Sequence, residues 1–203
     1  RQPLQPQRPV SKVEEIRKWF RSKLAVLTKE RDKRIAAARK PKGPTVMYDS
    51  VDVSRIPADA PAVAGYVNGI FKTWPQIVAK FPKAKKLSIA VTSSADADCL
   101  DIEPGNATPA DAPKWVRRQM ARGVKRPVVY ANVSTMPSVL VSLGKAGIKR
   151  SDVRVWTAHY GRGKHICSPK CGFGFGTTAD ATQWVEDKSR NLDINELDQS
   201  FFD

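Results

Sequence analysis

At 203 residues and 41% hydrophobic side chains, the chain is long and apolar enough to build a core, which excludes wholesale disorder. Its net charge of +15 is uneven, since residues 1–44 hold 14 Lys/Arg against 4 Asp/Glu, two-thirds of the excess in the first fifth. That balance suits polyanionic partners such as nucleic acid, anionic lipid or a bacterial wall, while no apolar run reaches the ~18 residues of a membrane span.

The opening RQPLQPQRPV is Pro/Gln-rich and reads as extended to about Pro9; it lacks the apolar core of a signal peptide. Without an initiator Met, the chain reads as a processed or excerpted piece of something longer. The stretch SKVEEIRKWFRSKLAVLTKERDKRIAAARK predicts one long helix. Ser11 and Glu14 form a capping box at its start, and Val13, Ile16, Phe20, Leu24 and Leu27 recur at helical spacing as one apolar stripe. Lys40–Pro44 ends it as a linker, so residues 1–44 form a basic helical segment and 45–203 a separate domain. A single stripe on a long helix needs a cover: its own domain, a protein assembly partner, or self-association through residues 11–39. Nucleic-acid binding by the same basic face is the weaker reading, because only Trp19 and Phe20 interleave the charges.

From Thr45 the pattern changes to short apolar runs, TVMYD, VAGYVNG, LSIAVTS, DCLDIEP, RPVVYAN, VRVWTAHYG, ATQWV and NLDIN, which predict eight strands. Between them KTWPQIVAKFP, DAPKWVRRQMARG and TMPSVLVSLGKAG predict helices. Asp111 is placed to cap the second, with Pro113 in its first turn, and Ser134 with Gly144 or Gly147 bounds the third. Strands alternating with helices imply a parallel sheet with crossovers, and eight of them a closed β/α barrel of the α/β class. The last part leaves little room for helices, so the barrel is expected to be irregular there.

Three cysteines do not make a disulfide framework. Cys99, in an apolar run, reads as a small core residue. Cys167 and Cys171 are spaced for a local disulfide or as two free thiols. With His165 and also His159 they could bind zinc, although H-x-C-x3-C is not a strong zinc signature. His159 alternates with inward Trp156 and Tyr160 and is expected to face outward.

In β/α barrels chemistry gathers at the carboxyl ends of the strands. Those ends carry Asp49, Asn68, Ser93, Asp101 with Glu103, Tyr130 with Asn132, Trp156 with Tyr160, Gln183, and Asp193 with Asn195. Aromatic faces stack on sugar rings, amides and acids bind hydroxyls, and paired carboxylates are the working parts of glycoside hydrolysis. Asp101 and Glu103, at i and i+2 on one strand, face the same way. Side by side they repel, so a carboxyl there should keep its proton to higher pH, as a general acid requires.

The order of an early Asp, LDIEP on a middle strand, VVYANVS, VWTAHYG, TQW and a closing LDINEL resembles family-25 glycoside hydrolases, the Chalaropsis-type lysozymes that include many phage endolysins. LDIEP resembles the family's D-x-E signature, LDIN its terminal D-x-N, and VWTAHY its W-x-A-x-Y strand. The likeness covers roughly Thr45 to Phe202, in a style similar to versions from actinobacteria and their phages. It implies cleavage of the β-1,4 bond after N-acetylmuramic acid in peptidoglycan, without a cofactor or metal, at the cell wall, outside the cell or in a virion. It also implies Glu103 as general acid and Asp101 as stabiliser of the oxocarbenium-like charge or the acetamido group. Asp49 and Asp193 would be the first- and last-strand acids, with Tyr130, Asn132, Trp156, Tyr160 and Gln183 lining sugar subsites. The family's first strand often reads D-V-S, which also matches Asp52-Val53-Ser54, whereas strand-end placement favours Asp49. The alternative function is a catalytically silent virion or tail component, or a wall-binding protein. Such a protein would keep the barrel, pair Asp101 and Glu103 with Lys or Arg, and use the helix for assembly.

Overall fold

The computed structural model describes residues 11–39, 43–189 and 191–203. The expectations for the first ten residues and most of the Lys40–Pro44 linker lie outside them. The chain divides into two compact units, one ending at Lys42 and the other spanning Gly43–Asp203. In the first, α1 runs over Lys12–Arg39, started by Ser11 Oγ, which accepts from Glu14 N at 3.3 Å. Val13, Ile16, Phe20, Leu24 and Leu27 are exposed along it, as are Trp19 and Phe20, whose rings meet edge-on at 5.0 Å. No helix among the described residues is long and apolar enough to cross a membrane.

All eight strands form: β1 (Val46–Asp49), β2 (Ala62–Tyr66), β3 (Lys85–Ala90), β4 (Cys99–Asp101), β5 (Val128–Asn132), β6 (Arg154–Ala158), β7 (Ala181–Asp187) and β8 (Leu192–Leu197). They close a barrel in chain order. Neighbours from β1 to β7 are parallel, while β8 is antiparallel to both β7 and β1. The short return from β7 to β8 leaves no room for a crossover helix, so a hairpin takes its place. Helices α2 (Trp74–Lys80), α3 (Ala112–Ala121) and α4 (Met136–Lys145) supply crossovers after β2, β4 and β5.

Alternation along the strands sorts the core. Ala62, Ala64, Cys99, Val128, Tyr130 and Trp156 belong to the cluster that fills the barrel. Their neighbours Leu100, Val129 and Val155 pack outward with Trp115, Val116, Met136, Val139 and Leu143 of α3 and α4, and Val63 packs against Ile77 of α2. A Cβ on Gly65 would sit 2.6 Å from Ile77 Cγ1, so only glycine lets α2 approach β2 this closely.

Two helix boundaries differ from expectation. Asp111 precedes α3, but its carboxylate accepts from Thr108 N (2.8 Å) and Thr108 Oγ1 (2.6 Å) rather than from the helix's own amides. It closes the turn before the helix, a competing local bond open to Asp. Before α4 the same happens: Asn132 Oδ1 accepts from Thr135 N and Ser134 Oγ, both at 2.8 Å, and closes the preceding turn, while no side chain bonds the first amides of the helix.

Candidate active site

At the carboxyl ends of the parallel strands the barrel opens into a small polar cavity of about 130 Å³. Asp49 and Tyr66 end β1 and β2, and Asp101 ends β4. The strand geometry persists one step further, with Ile102 N donating to Tyr130 O at 2.9 Å, so Glu103 returns to the face of Asp101. Tyr130, Trp156 and Gln183 reach in from β5, β6 and β7, and Tyr160 from the loop after β6. Because β8 runs antiparallel, Asp193 near its start lies at the same rim, paired in register with Asp49.

The cavity therefore gathers Asp49, Asp101, Glu103, Tyr130, Trp156, Tyr160, Gln183 and Asp193. It does not include Asn132, whose Oδ1 closes the turn before α4; a strand-end amide serves a local turn as readily as a ligand. Asp52 is turned away too, accepting from Ser54 N (3.0 Å), Ser54 Oγ (2.6 Å) and Arg55 Nε (3.1 Å). Asn68 ties the β2 and β3 ends together through Thr92 Oγ1 (2.7 Å) and Val91 N (2.9 Å), while Ser93 donates to Asp111.

Tyr66, Ile89 and Glu186 also line the cavity without having been expected. Glu186 has the wrong parity to share a face with Gln183 in a regular strand. A bulge between Gln183 and Val185 shifts the register and brings it round.

Five carboxyl groups thus meet where, among the described residues, no Lys or Arg lines the wall. Asp101 is 4% exposed; Asn106 Nδ2 donates to its Oδ2 at 2.9 Å, and its buried Oδ1 has no partner among the described residues. Burial, and then the neighbouring Glu103 charge, pushes the Asp101 carboxyl up to about 7. Glu103 is likewise raised, by burial and then by Glu186, with the neighbouring Tyr130 hydroxyl acting in the opposite direction. Asp49 and Asp193 hydrogen-bond each other, which requires one shared proton. Burial raises both, and Asn195 Nδ2, which donates to Asp49 Oδ2 at 2.8 Å, favours the anion on the Asp49 side of the pair.

Buried bonds hold the floor rigid. Asn195, fully buried, also donates to Met47 O (3.0 Å) and accepts from Trp156 Nε1 (2.8 Å); Tyr130 Oη donates to Gln183 Oε1 at 2.7 Å. Tyr130 and Trp156 lie 4.6 Å apart between ring centroids. A larger groove of about 740 Å³ runs along α4 past Leu140, Val141 and Ile148, but among the described residues no Asp, Glu, His or Cys lines it.

No family model matches the sequence, and no curated protein matches it. Among solved structures the chain is similar to a bacterial lysozyme from Streptomyces coelicolor, at 12% identity and a TM-score of 0.46, over 77% of this chain and 93% of that one. It is also similar to a muramidase from Acremonium alcalophilum, at 12% identity and a TM-score of 0.45, over 76% of this chain and 93% of that one. These likenesses concern the course of the chain and assign a role to no residue.

Proposed function

We propose that the barrel is a muramidase-type glycoside hydrolase that cleaves the β-1,4 bond after N-acetylmuramic acid in peptidoglycan, acting at a bacterial cell wall. The observation that carries the reading is the cluster of five carboxyls, with no Lys or Arg among the described lining residues and with tyrosine and tryptophan rings across it, at the carboxyl ends of the barrel strands. A site of that sign repels anionic reacting groups and stabilises a cationic transition state, such as the oxocarbenium-like one of glycoside cleavage. The Asp-x-Glu pair and the closing Asp-x-Asn are the residues of the family-25 resemblance and fall in and beside this cavity, which supports the choice of bond.

In this mechanism Glu103, held protonated by burial and by Glu186, donates to the departing glycosidic oxygen. Asp101 keeps one oxygen on Asn106 and offers the other to the sugar. As positive charge develops at the anomeric carbon it favours the Asp101 anion, which stabilises that charge; when protonated, Asp101 can instead donate to the acetamido carbonyl. Asn195 and the shared proton of the Asp49–Asp193 pair fix a second negative wall. Tyr130, Trp156 and Tyr160 supply apolar faces for the ring.

The test is release of reducing ends from purified peptidoglycan by the wild-type chain and by Glu103→Gln at equal concentration. Release by the wild type alone supports the proposal. Wall binding by both without release would instead favour the silent assembly or wall-binding protein.

A further inference from the structure

Outside the cleft, the long connection between β6 and β7 (residues 159–180) carries its own cluster of donors. His159, His165, Cys167 and Cys171 place one ligating atom each within 4.8 Å of all the others. His159 Nδ1 lies 3.2 Å from His165 Nε2 and 3.2 Å from Cys167 Sγ, and His165 Nε2 is 3.4 Å from Cys167 Sγ. A tetrahedral zinc site with ordinary bond lengths has edges of about 3.3 Å between nitrogens and about 3.6 Å between nitrogen and sulfur. The three edges among His159, His165 and Cys167 lie within a few tenths of an ångström of these, and Cys171 Sγ, within 4.8 Å of the other three atoms, is placed to supply the fourth corner. We propose that these four residues bind one zinc ion that pins the loop against the barrel.

The surroundings suit a metal. His165 Nδ1 lies 2.8 Å from Gly163 O, so it carries the proton and leaves the Nε2 lone pair aimed at the cluster. Three of the four donors sit on bonded backbone. His159 N donates to Gln183 O (2.9 Å) and Cys167 N to Thr182 Oγ1 (2.8 Å), while Cys171 closes a turn on Ser168 O (2.9 Å). His159 and Cys167 are buried, His165 and Cys171 half-buried. The cysteines are unpaired, and all three cysteines of the chain are free thiols. Two thiolates and two neutral imidazoles cancel the charge of Zn²⁺ and fill all four positions, so the site is structural rather than catalytic, and an S₂N₂ tetrahedron selects zinc.

A metal also answers a packing need. The loop contains only one 3₁₀ turn, Pro169–Cys171, and five glycines, yet it sends Cys167 and Phe175 into the outer core and Tyr160 into the cleft. Regular structure does not hold so long a segment in place; a four-point staple does. The inference stands apart from the proposed hydrolysis and survives if the barrel is inactive.

The full chain, purified without chelators, is expected to carry one zinc per chain by elemental mass spectrometry. Exchange for Co²⁺ should give the visible bands of a tetrahedral thiolate-bound ion. Cys171→Ser and His165→Gln should each weaken zinc affinity at least about tenfold, whereas Lys164→Gln, which removes no donor, should keep it. Chelation should lower the melting temperature of the wild type, because zinc binds the folded chain. If a variant fails to fold, the wild-type metal content and cobalt spectrum still decide. Metal-free protein whose mass is lower by the hydrogens of a Cys167–Cys171 disulfide would overturn the proposal, as would two titratable thiols with no tetrahedral cobalt spectrum.

Discussion

Asp101→Asn replaces a buried carboxylate by its uncharged isostere, and the structure predicts that stability rises as activity falls. The amide can keep the Asn106 bond through its oxygen and turn its nitrogen to the cavity, where Asp101 Oδ1 has no partner among the described residues. The folded protein raises this carboxyl from 3.8 to about 7, by burial and then by Glu103. Its protonated form is therefore favoured in the fold: that contribution is complete below the unfolded value of 3.8 and is lost as pH rises through about 7. At about 1.4 kcal/mol per pH unit, the loss at full ionisation is about 4 kcal/mol. Water entering the cavity lowers this, so we expect Asp101→Asn to gain about 2–4 kcal/mol, or roughly 5–15 °C, at about pH 8. At about pH 4.5 the gain should shrink to about 1 kcal/mol or less. Urea titrations of both proteins at the two pH values read it out. Equal stability at both pH values, or a variant less stable at about pH 8, would refute the reasoning that this carboxylate is held ionised against its surroundings.

Other consequences follow from the same contacts. Glu103→Gln should lower hydrolysis by about 10²–10⁴-fold, with a melting temperature at neutral pH no lower than wild type, because the change relieves the Glu186 repulsion. Asn195→Ala should cost about 2–4 kcal/mol, measurable by chemical denaturation, since Trp156 Nε1, Met47 O and the Asp49 carboxylate all lose a buried partner. Asp180 accepts from Arg126 (3.0 Å), Arg150 (2.5 Å) and Val155 N (2.7 Å), so Asp180→Ala should cost about 3 kcal/mol by the same assay. Wild-type hydrolysis should fall on the alkaline side of its profile, where Glu103, raised above the usual carboxylate range by burial and then by Glu186, gives up its proton; a rate–pH profile without an alkaline limb would contradict it.

The strands were legible because each alternates or runs apolar between strong turn residues; the lack of helical sequence before β8 marked that end as irregular, but a parallel sheet was expected and β8 is antiparallel to both neighbours. Asp101 and Glu103 were legible as a same-face pair for the same reason. What the pattern hid was local. A one-residue bulge reverses the parity of β7 and brings in Glu186, so strict alternation pointed it away. Tyr66 was passed over because the apolar run continues past the strand's last paired residue toward Asn68. Asn132 and Asp111 were both misread, one as a ligand and one as a helix cap, and each closes the turn before a helix. Short polar side chains satisfy whichever backbone amide lies nearest, and only three-dimensional placement says which one that is. In the donor cluster, His159 does point away from the cleft, but beneath the following loop rather than to solvent.

The most direct test of the central claim is to digest peptidoglycan with the wild-type chain, reduce the products with borohydride and identify the newly reduced amino sugar. The account predicts muramitol, formed by the wild type and not by Glu103→Gln. Glucosaminitol, or muramitol formed equally by both proteins, would contradict it.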